Sequence, residues 1–409
     1  MYSYIESFRL AVISYYPIGL YVLPIIVLLS GILLYFLRWR DYVLPLRLSK
    51  NQQSAKEEND EAEWPKLSVV VPANDQAALL AEHLPVLLEQ DYPNFEVIVV
   101  DEASTDETEE VIKQLQLQYR NLRRTFVPSS ADICRRKLSI TLGVRASRSE
   151  WSVITTAEAV PASSKWLRRI AEQIDDQCDI ILGYSNYKDE GSPYSKQAIF
   201  DRLWTQLRSY SAASRRLGIG GDEANFCVRK SAFLEHKGYA EHLQNDFGES
   251  HLLVQQLAQP DNIRMVLHPE AYVEEELPLQ FIWNNMRVYY RETLAHSSQA
   301  SKRAMLREGT ATTLIYTLVF SIGMYISLRW FQLFSLRDYT LHYVYVDLAM
   351  LLLIIAVIAL PLILFRKCTT LLEAPNYSWS LMGYALSRPF CNMALKYQRW
   401  KLRKDLNRK

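Results

Sequence analysis

The stretch of this chain best suited to chemistry is Val99-Val100-Asp101-Glu102-Ala103-Ser104-Thr105-Asp106. An apolar β-branched run stops there in acids and small residues, and a helical pattern follows from Thr108. In an open α/β sheet, ligands bind in the crevice outside the carboxyl ends of the strands. Acids at such an end can accept hydrogen bonds from a base or a ribose. The same residues also have a structural use, since Ser104 or Asp106 could simply cap the helix that begins near Thr108.

The elements that would position these acids are legible on either side. Leu67–Pro72 and Phe95–Val100 read as short, continuously apolar strands, and Ala77–Glu89 between them has helical spacing of Leu79, Leu80, Leu84, Leu87 and Leu88. A second helix is expected over Thr108–Tyr119 and a strand near Arg124–Val127. A helix around Lys137–Ala146 and a strand at Trp151–Thr155 follow. Apolar strands separated by helices predict an α/β fold with a parallel sheet buried on both faces.

Four further stretches fall in order along this region. They are Val69-Val70-Val71-Pro72-Ala73-Asn74-Asp75-Gln76, the acid run above, Arg135-Arg136-Lys137-Leu138-Ser139-Ile140-Thr141-Leu142-Gly143, and Asn225-Phe226-Cys227-Val228-Arg229-Lys230-Ser231-Ala232-Phe233. The first resembles V-V-x-P-x-x-N-E, the second V-D-D-x-S-x-D, and the last N-x-x-x-R-K-x-x-F. With these motifs, residues 67–290 resemble a family 2 glycosyltransferase of the Rossmann-like GT-A fold. The resemblance implies a nucleotide-sugar donor site containing Pro72, Asp75, Asp101, Glu102 and Asp106, with Asp101 or Glu102 at the base and ribose. Lys137, or its neighbours Arg135 and Arg136, would lie near the diphosphate, where cations suit the charge.

Three departures from the family pattern bear on the chemistry. The D-x-D-type metal motif is matched by Thr155-Thr156-Ala157-Glu158-Ala159-Val160-Pro161, so Thr156 replaces the first acid and Glu158 the second. Mg or Mn prefers carboxylate oxygens, and one carboxylate with diphosphate and water can still serve. Glu158 is therefore the expected contact for a divalent cation, at reduced affinity, unless the metal is lost. The acid pair that supplies the family's base is matched by Phe247-Gly248-Glu249-Ser250-His251. Inverting transfer needs a carboxylate to deprotonate the acceptor hydroxyl. Ser250 lacks the basicity, so Glu249 is the candidate base, with Asp246 or His251 as substitutes. Glu249 could alternatively just favour a helix N-terminus. The Q-x-x-R-W motif of processive synthases is missing from Trp283–Arg291, which argues against long-polymer synthesis.

Composition places this domain at a membrane. Lys and Arg number 46 against 45 Asp and Glu, a formal net charge of +1, whereas a dedicated nucleic-acid binder should look basic. No nucleic-acid partner is expected. Charged residues at 22% exclude a chain embedded throughout, and 49% hydrophobic residues exclude a disordered one. Apolar runs at 17–37, 311–334 and 344–365 are expected to be transmembrane helices, since a span needs about 20 mostly apolar residues. The basic flanks, Arg38, Arg40, Arg47 and Lys50, then Lys302, Arg303 and Arg307, then Arg366, Lys367 and the tail, fall on one side. That side is cytoplasmic by the positive-inside rule. Five cysteines without a C-x-x-C pair suit reduced thiols facing the cytoplasm.

The expected organisation is an N-terminal segment 1–16, a span 17–37, a linker 38–66, the glycosyltransferase-like domain 67–300, spans at 311–334 and 344–365, and a basic cytoplasmic or interfacial tail 366–409. The expected function is a multi-pass, membrane-anchored, non-processive transferase, acting at the cell inner or plasma membrane. It would move a sugar from a nucleotide-diphosphate donor to a lipid-linked or membrane-proximal acceptor. The alternative is a catalytically degenerate scaffold in a glycan assembly complex.

Overall fold

The computed structural model describes residues 2–54, 64–128, 133–245, 248–293, 296–335 and 341–374, with scattered positions between 383 and 400. The acidic stretch at 56–61, Asp246 and most of the tail lie outside the described residues. In chain order the elements begin with α1 Tyr2–Ser54, β1 Leu67–Ala73, α2 Ala77–Leu88, β2 Phe95–Asp101, α3 Thr108–Gln118 and β3 Leu122–Phe126. Next come α4 Arg135–Ala146, β4 Trp151–Ile154, β5 Ala159–Pro161, α5 Trp166–Ala171, β6 Ile180–Leu182, β7 Ser185–Tyr187 and α6 Pro193–Ala213. The rest are β8 Phe226–Arg229, α7 Lys230–Glu235, α8 Glu249–Leu257, β9 Ile263–Met265, β10 Val273–Glu275, α9 Gln280–Thr293, α10 Gln299–Ser335 and α11 Leu341–Leu371.

The chain divides into two units. One comprises Val43–Ala304, Cys368–Asn376 and Phe390–Lys409, and contains a seven-stranded sheet of order β3-β2-β1-β4-β8-β6-β9. The pairs β3·β2, β2·β1 and β1·β4 are parallel, as expected, whereas β8 runs antiparallel to both β4 and β6. A second sheet of order β5-β10-β7 stands beside the motif following β4. Alternation along the strands sorts the layers. Val69, Val71, Val97 and Val99 face Leu80 and Leu84 of α2 and Ile112 of α3. Val70 and Val100 face α4, and the approach is so close that a Cβ on Gly143 would lie 2.3 Å from Val70 Cγ1. Glycine at 143 is thus a packing requirement rather than a helix preference, which would disfavour it.

Residues 38–54, expected as linker, are helical instead. The C-terminal turns of α1 dock on this unit: the buried Ser49 hydroxyl donates to Leu267 O at 2.6 Å. The Gln52 amide donates to Met265 O at 2.6 Å and accepts from Leu267 N at 2.7 Å. Gln52 thereby satisfies a donor and an acceptor just past β9, and that buried hydrogen bonding favours helix over loose linker.

The other unit comprises Met1–Tyr42, Met305–Lys367 and Tyr377–Pro389. Its interior is Leu23, Val27 and Leu34 against Ala311, Leu318 and Tyr325. Asp41 and Arg307 pair at 2.5 Å, and Arg388 pairs with Glu308. The expected spans lie within α1, α10 and α11. Among the described residues one segment, Gln299–Trp330, is long and apolar enough to cross a membrane.

Gly143→Ala is expected to cost about 1–3 kcal/mol, the usual range for an overpacked core. Thermal unfolding of the detergent-solubilised chain measures it, and an unchanged midpoint would mean that α4 does not rest on β1 as described.

Candidate active site

The sheet's carboxyl edge is built from two left-handed turns. Asp75 (φ 53°) follows β1 and Ala103 (φ 60°) follows β2, both unusual for residues with a Cβ. The Asp75 carboxylate holds the turns together, accepting from Thr105 N at 2.6 Å and Asp106 N at 3.3 Å. Asp106 accepts from Ala77 N and Thr108 N, capping α2 and α3 at once. Burial raises the Asp106 pKa, but the hydrogen bonds from Thr108 and Ala77 together outweigh it and hold the carboxyl below its ordinary range. Asp101 accepts from Ser104 N at 2.9 Å. These three acids, expected at the donor, spend hydrogen-bonding capacity on the turns that shape the edge.

The start of α4 crosses this edge. Arg136 donates to Pro72 O at 3.0 Å and lies 3.8 Å from Glu102 Oε1. Arg135 donates to the Glu102 carbonyl at 3.1 Å, and Ser139 donates to the Glu102 carboxylate at 2.7 Å. Lys137 points elsewhere. It is fully buried, and its ammonium donates to His242 O at 2.9 Å and Asn245 O at 2.6 Å. Cys134 N also donates to Leu243 O. The three hydrogen bonds fasten the 242–245 loop, which leads to Glu249 at the start of α8, against the start of α4.

Four carboxylates act on Arg136: Glu102, Glu158, Glu223 and Glu249. Burial favours loss of its proton, but their summed charge raises its pKa instead. Glu223 was not expected. Burial, the charge of Glu249 and a hydrogen bond with Glu249 push its carboxyl well above the usual range, so it keeps its proton. Two carboxylates in contact cannot both ionise cheaply. Glu249 Oε1 also lies 3.8 Å from Cys134 Sγ. His251, the other named substitute base, is driven to about 4 by burial and the Arg208 charge, and is therefore neutral at physiological pH. The overlooked signal was Gly220-Gly221-Asp222-Glu223, which begins just before the Asn225 stretch. Asn225 itself is buried structure: it accepts from Trp166 Nε1 and donates to Tyr184 O and Ala271 O.

Thr156, in the place of the first metal-motif acid, donates to Glu275 Oε1 at 2.9 Å. Glu275 is paired with Arg202, which also holds Asp222 at 2.8 Å. An aspartate at 156 would set a second carboxylate against buried Glu275, so the hydroxyl fits and an acid would not. Glu158 accepts from the Gln76 amide. Among the described residues no three His, Cys, Asp or Glu side chains are grouped to hold a metal ion. Of Glu158, the expected cation contact, one oxygen is taken by the Gln76 amide.

The doubly covered, mixed α/β sheet with acids and arginines at its carboxyl edge is GT-A-like. Residues 68–239 match the Glycosyl transferase family 2 model. Glycosyltransferase GlyG of Streptococcus pneumoniae serotype 4 is 25% identical over 125 residues, 30% of this chain and 40% of GlyG, so this chain matches less than half of that relative. Among solved structures, the mannosyltransferase PcManGT from Pyrobaculum calidifontis, in complex with GDP-Man and Mn2+, is 16% identical. Its TM-score is 0.48, covering 81% of this chain and 99% of that one. S. aureus TarS 1-349 is also 16% identical, with a TM-score of 0.40 over 79% and 91% of the two chains.

Glu223 yields a signed expectation. A raised carboxyl pKa contributes stability that is fully present below the ordinary glutamate value and is lost as pH rises through the folded-state value. The melting temperature of the Glu223→Gln variant should therefore fall less than that of the parent between about pH 5 and about pH 8. Parallel curves would show that Glu223 does not hold an extra proton.

Proposed function

We propose that the chain is a membrane-anchored, non-processive, inverting glycosyltransferase, taking a sugar from a nucleotide-diphosphate donor to a lipid-linked or membrane-proximal acceptor. The observation that carries this reading is the seat of Arg136 at the carboxyl edge of the region matching the family 2 model, bonded to Pro72 O and 3.8 Å from Glu102 Oε1. Asp101 and Glu102 serve the base and ribose, and Pro72, Asp75 and Asp106 shape the turns beneath them. Arg135 and Arg136 face the diphosphate, a fork suited to phosphate oxygens. Lys137 keeps the 242–245 loop in place rather than touching the donor. Glu249 is the base that takes the acceptor hydroxyl proton as that oxygen attacks the anomeric carbon. Glu223 hydrogen-bonds it and keeps the pair from carrying two charges.

The anchoring reading is supported by the unit that contains Met305–Trp330 of the apolar segment. Its interior is small and apolar, yet Leu29, Phe36, Phe320 and Leu352 on its outside are exposed. Apolar side chains on the outside are stable where the surroundings are lipid. With the basic flanks, this supports three spans and a cytoplasmic catalytic domain.

Turnover is tested by offering the purified full chain a panel of nucleotide sugars with total lipid extract and measuring nucleoside diphosphate release. Glu249→Gln is expected to reduce release by about 10²–10⁴-fold, the usual contribution of a general base, with donor binding retained. Donor binding without turnover across the panel would favour the degenerate scaffold. The full chain should also stay with membranes through an alkaline carbonate wash; release into the supernatant would remove the anchoring reading.

A further inference from the structure

We propose that donor binding by this domain is independent of a divalent metal, because Arg136 is a built-in cation in the acid-lined space a metal would occupy. This rests on the donor-site reading above. Three observations converge on it. Thr156, in place of the first motif acid, donates its hydroxyl to Glu275, and Glu275 is already paired with Arg202. Glu158, the remaining motif acid, accepts from the Gln76 amide. Arg136 is anchored by its bond to Pro72 O and lies 3.8 Å from Glu102 Oε1, and the charges of Glu158, Glu223 and Glu249 also act on it.

A divalent ion entering this space would have to approach a guanidinium fixed at the strand end, and the one motif carboxylate it would find, Glu158, already accepts from the Gln76 amide. The like-charge repulsion and the engaged carboxylate oxygen both oppose it. Arg136 instead offers the planar N–H fork that matches phosphate oxygens, with Arg135 beside it. Its side chain is 27% exposed, so an incoming diphosphate can reach it. The charge the donor's diphosphate needs is therefore carried by the protein itself. This also accounts for Thr156, since a site that binds no metal has no use for a second motif acid against Glu275.

The test uses the full chain in detergent and two readouts. UDP and GDP binding is titrated calorimetrically in EDTA and in Mn2+, and Mn2+ binding to the nucleotide-free protein is followed by electron paramagnetic resonance. Expected are equal affinities with and without metal for whichever nucleotide binds, and no stoichiometric Mn2+ site. Arg136→Gln should weaken that binding about tenfold or more in EDTA, the scale of a lost charge-assisted hydrogen bond. Arg136→Lys should restore part of it. The same Gln variant should gain Mn2+-dependent binding, because the acids are left without their cation. Nucleotide binding only in Mn2+, or a parent Mn2+ site abolished by Glu158→Gln, would overturn the metal-independence while leaving the donor site standing. Failure of both nucleotides to bind under either condition would overturn the donor-site reading, and the inference with it.

Discussion

The approach of α4 to β1 is the constraint on which the rest of the site depends. It is set by the missing side chain at Gly143, which lets the helix backbone close onto Val70 and Val100. Everything at the beginning of that helix inherits its position from this contact. Arg136 reaches Pro72 O, Arg135 reaches Glu102 O, and Ser139 reaches the Glu102 carboxylate. Lys137, on the buried side, carries the constraint outward to His242 O and Asn245 O, and so towards the start of α8 and Glu249. A single packing distance thus couples the nucleotide half of the sheet to the candidate base.

Charge is managed around this frame in two ways. The first is full pairing in the interior, where a lone ion is expensive. Arg202 holds Asp222 and Glu275 and lies over the Tyr187 ring, while Ser185 and Thr156 donate to the two acids. Burial raises the Glu275 carboxyl, whereas for Asp222 burial is outweighed by the Arg202 charge together with hydrogen bonds from Arg202, Ser185 and Ala224 N, which lower it. The second is imbalance at the strand ends, where the charges of Glu102, Glu158, Glu223 and Glu249 all act on Arg136 and the contact with Glu249 raises the Glu223 carboxyl. The interior network stabilises a geometry. The edge cluster leaves groups in competing protonation states, which is the condition acid–base chemistry needs.

Periodicity and strand-end composition made the first half of the domain legible. The strands at Leu67, Phe95 and Trp151, the helices at Ala77 and Thr108, and the acid-bearing edge were all apparent from β-branched runs and helical spacing. The helix through Ser54 was missed because its polar residues look like linker until Gln52 is seen to bond both Met265 O and Leu267 N, more than 200 residues away. Among Arg135, Arg136 and Lys137 the charges are visible in sequence, but the burial of Lys137 is not. Glu223 went unnoticed for the converse reason: its importance lies in contact with Glu249 across the fold, and no local spacing encodes that.

Thr156 shows why a motif read one residue at a time can mislead. Scored alone, the change from acid to hydroxyl is a loss. In the fold it is one member of a set with Glu275, Arg202 and Asp222. Restoring an acid at 156 would place two carboxylates in contact beside a single arginine that is already shared, and one of them would have to take up a proton. The hydroxyl donates where an acid would repel, so the position is tuned to its neighbours in β10 and α6. The altered motif is better understood as a site rebuilt around fixed internal cations than as one from which ligands have simply been removed.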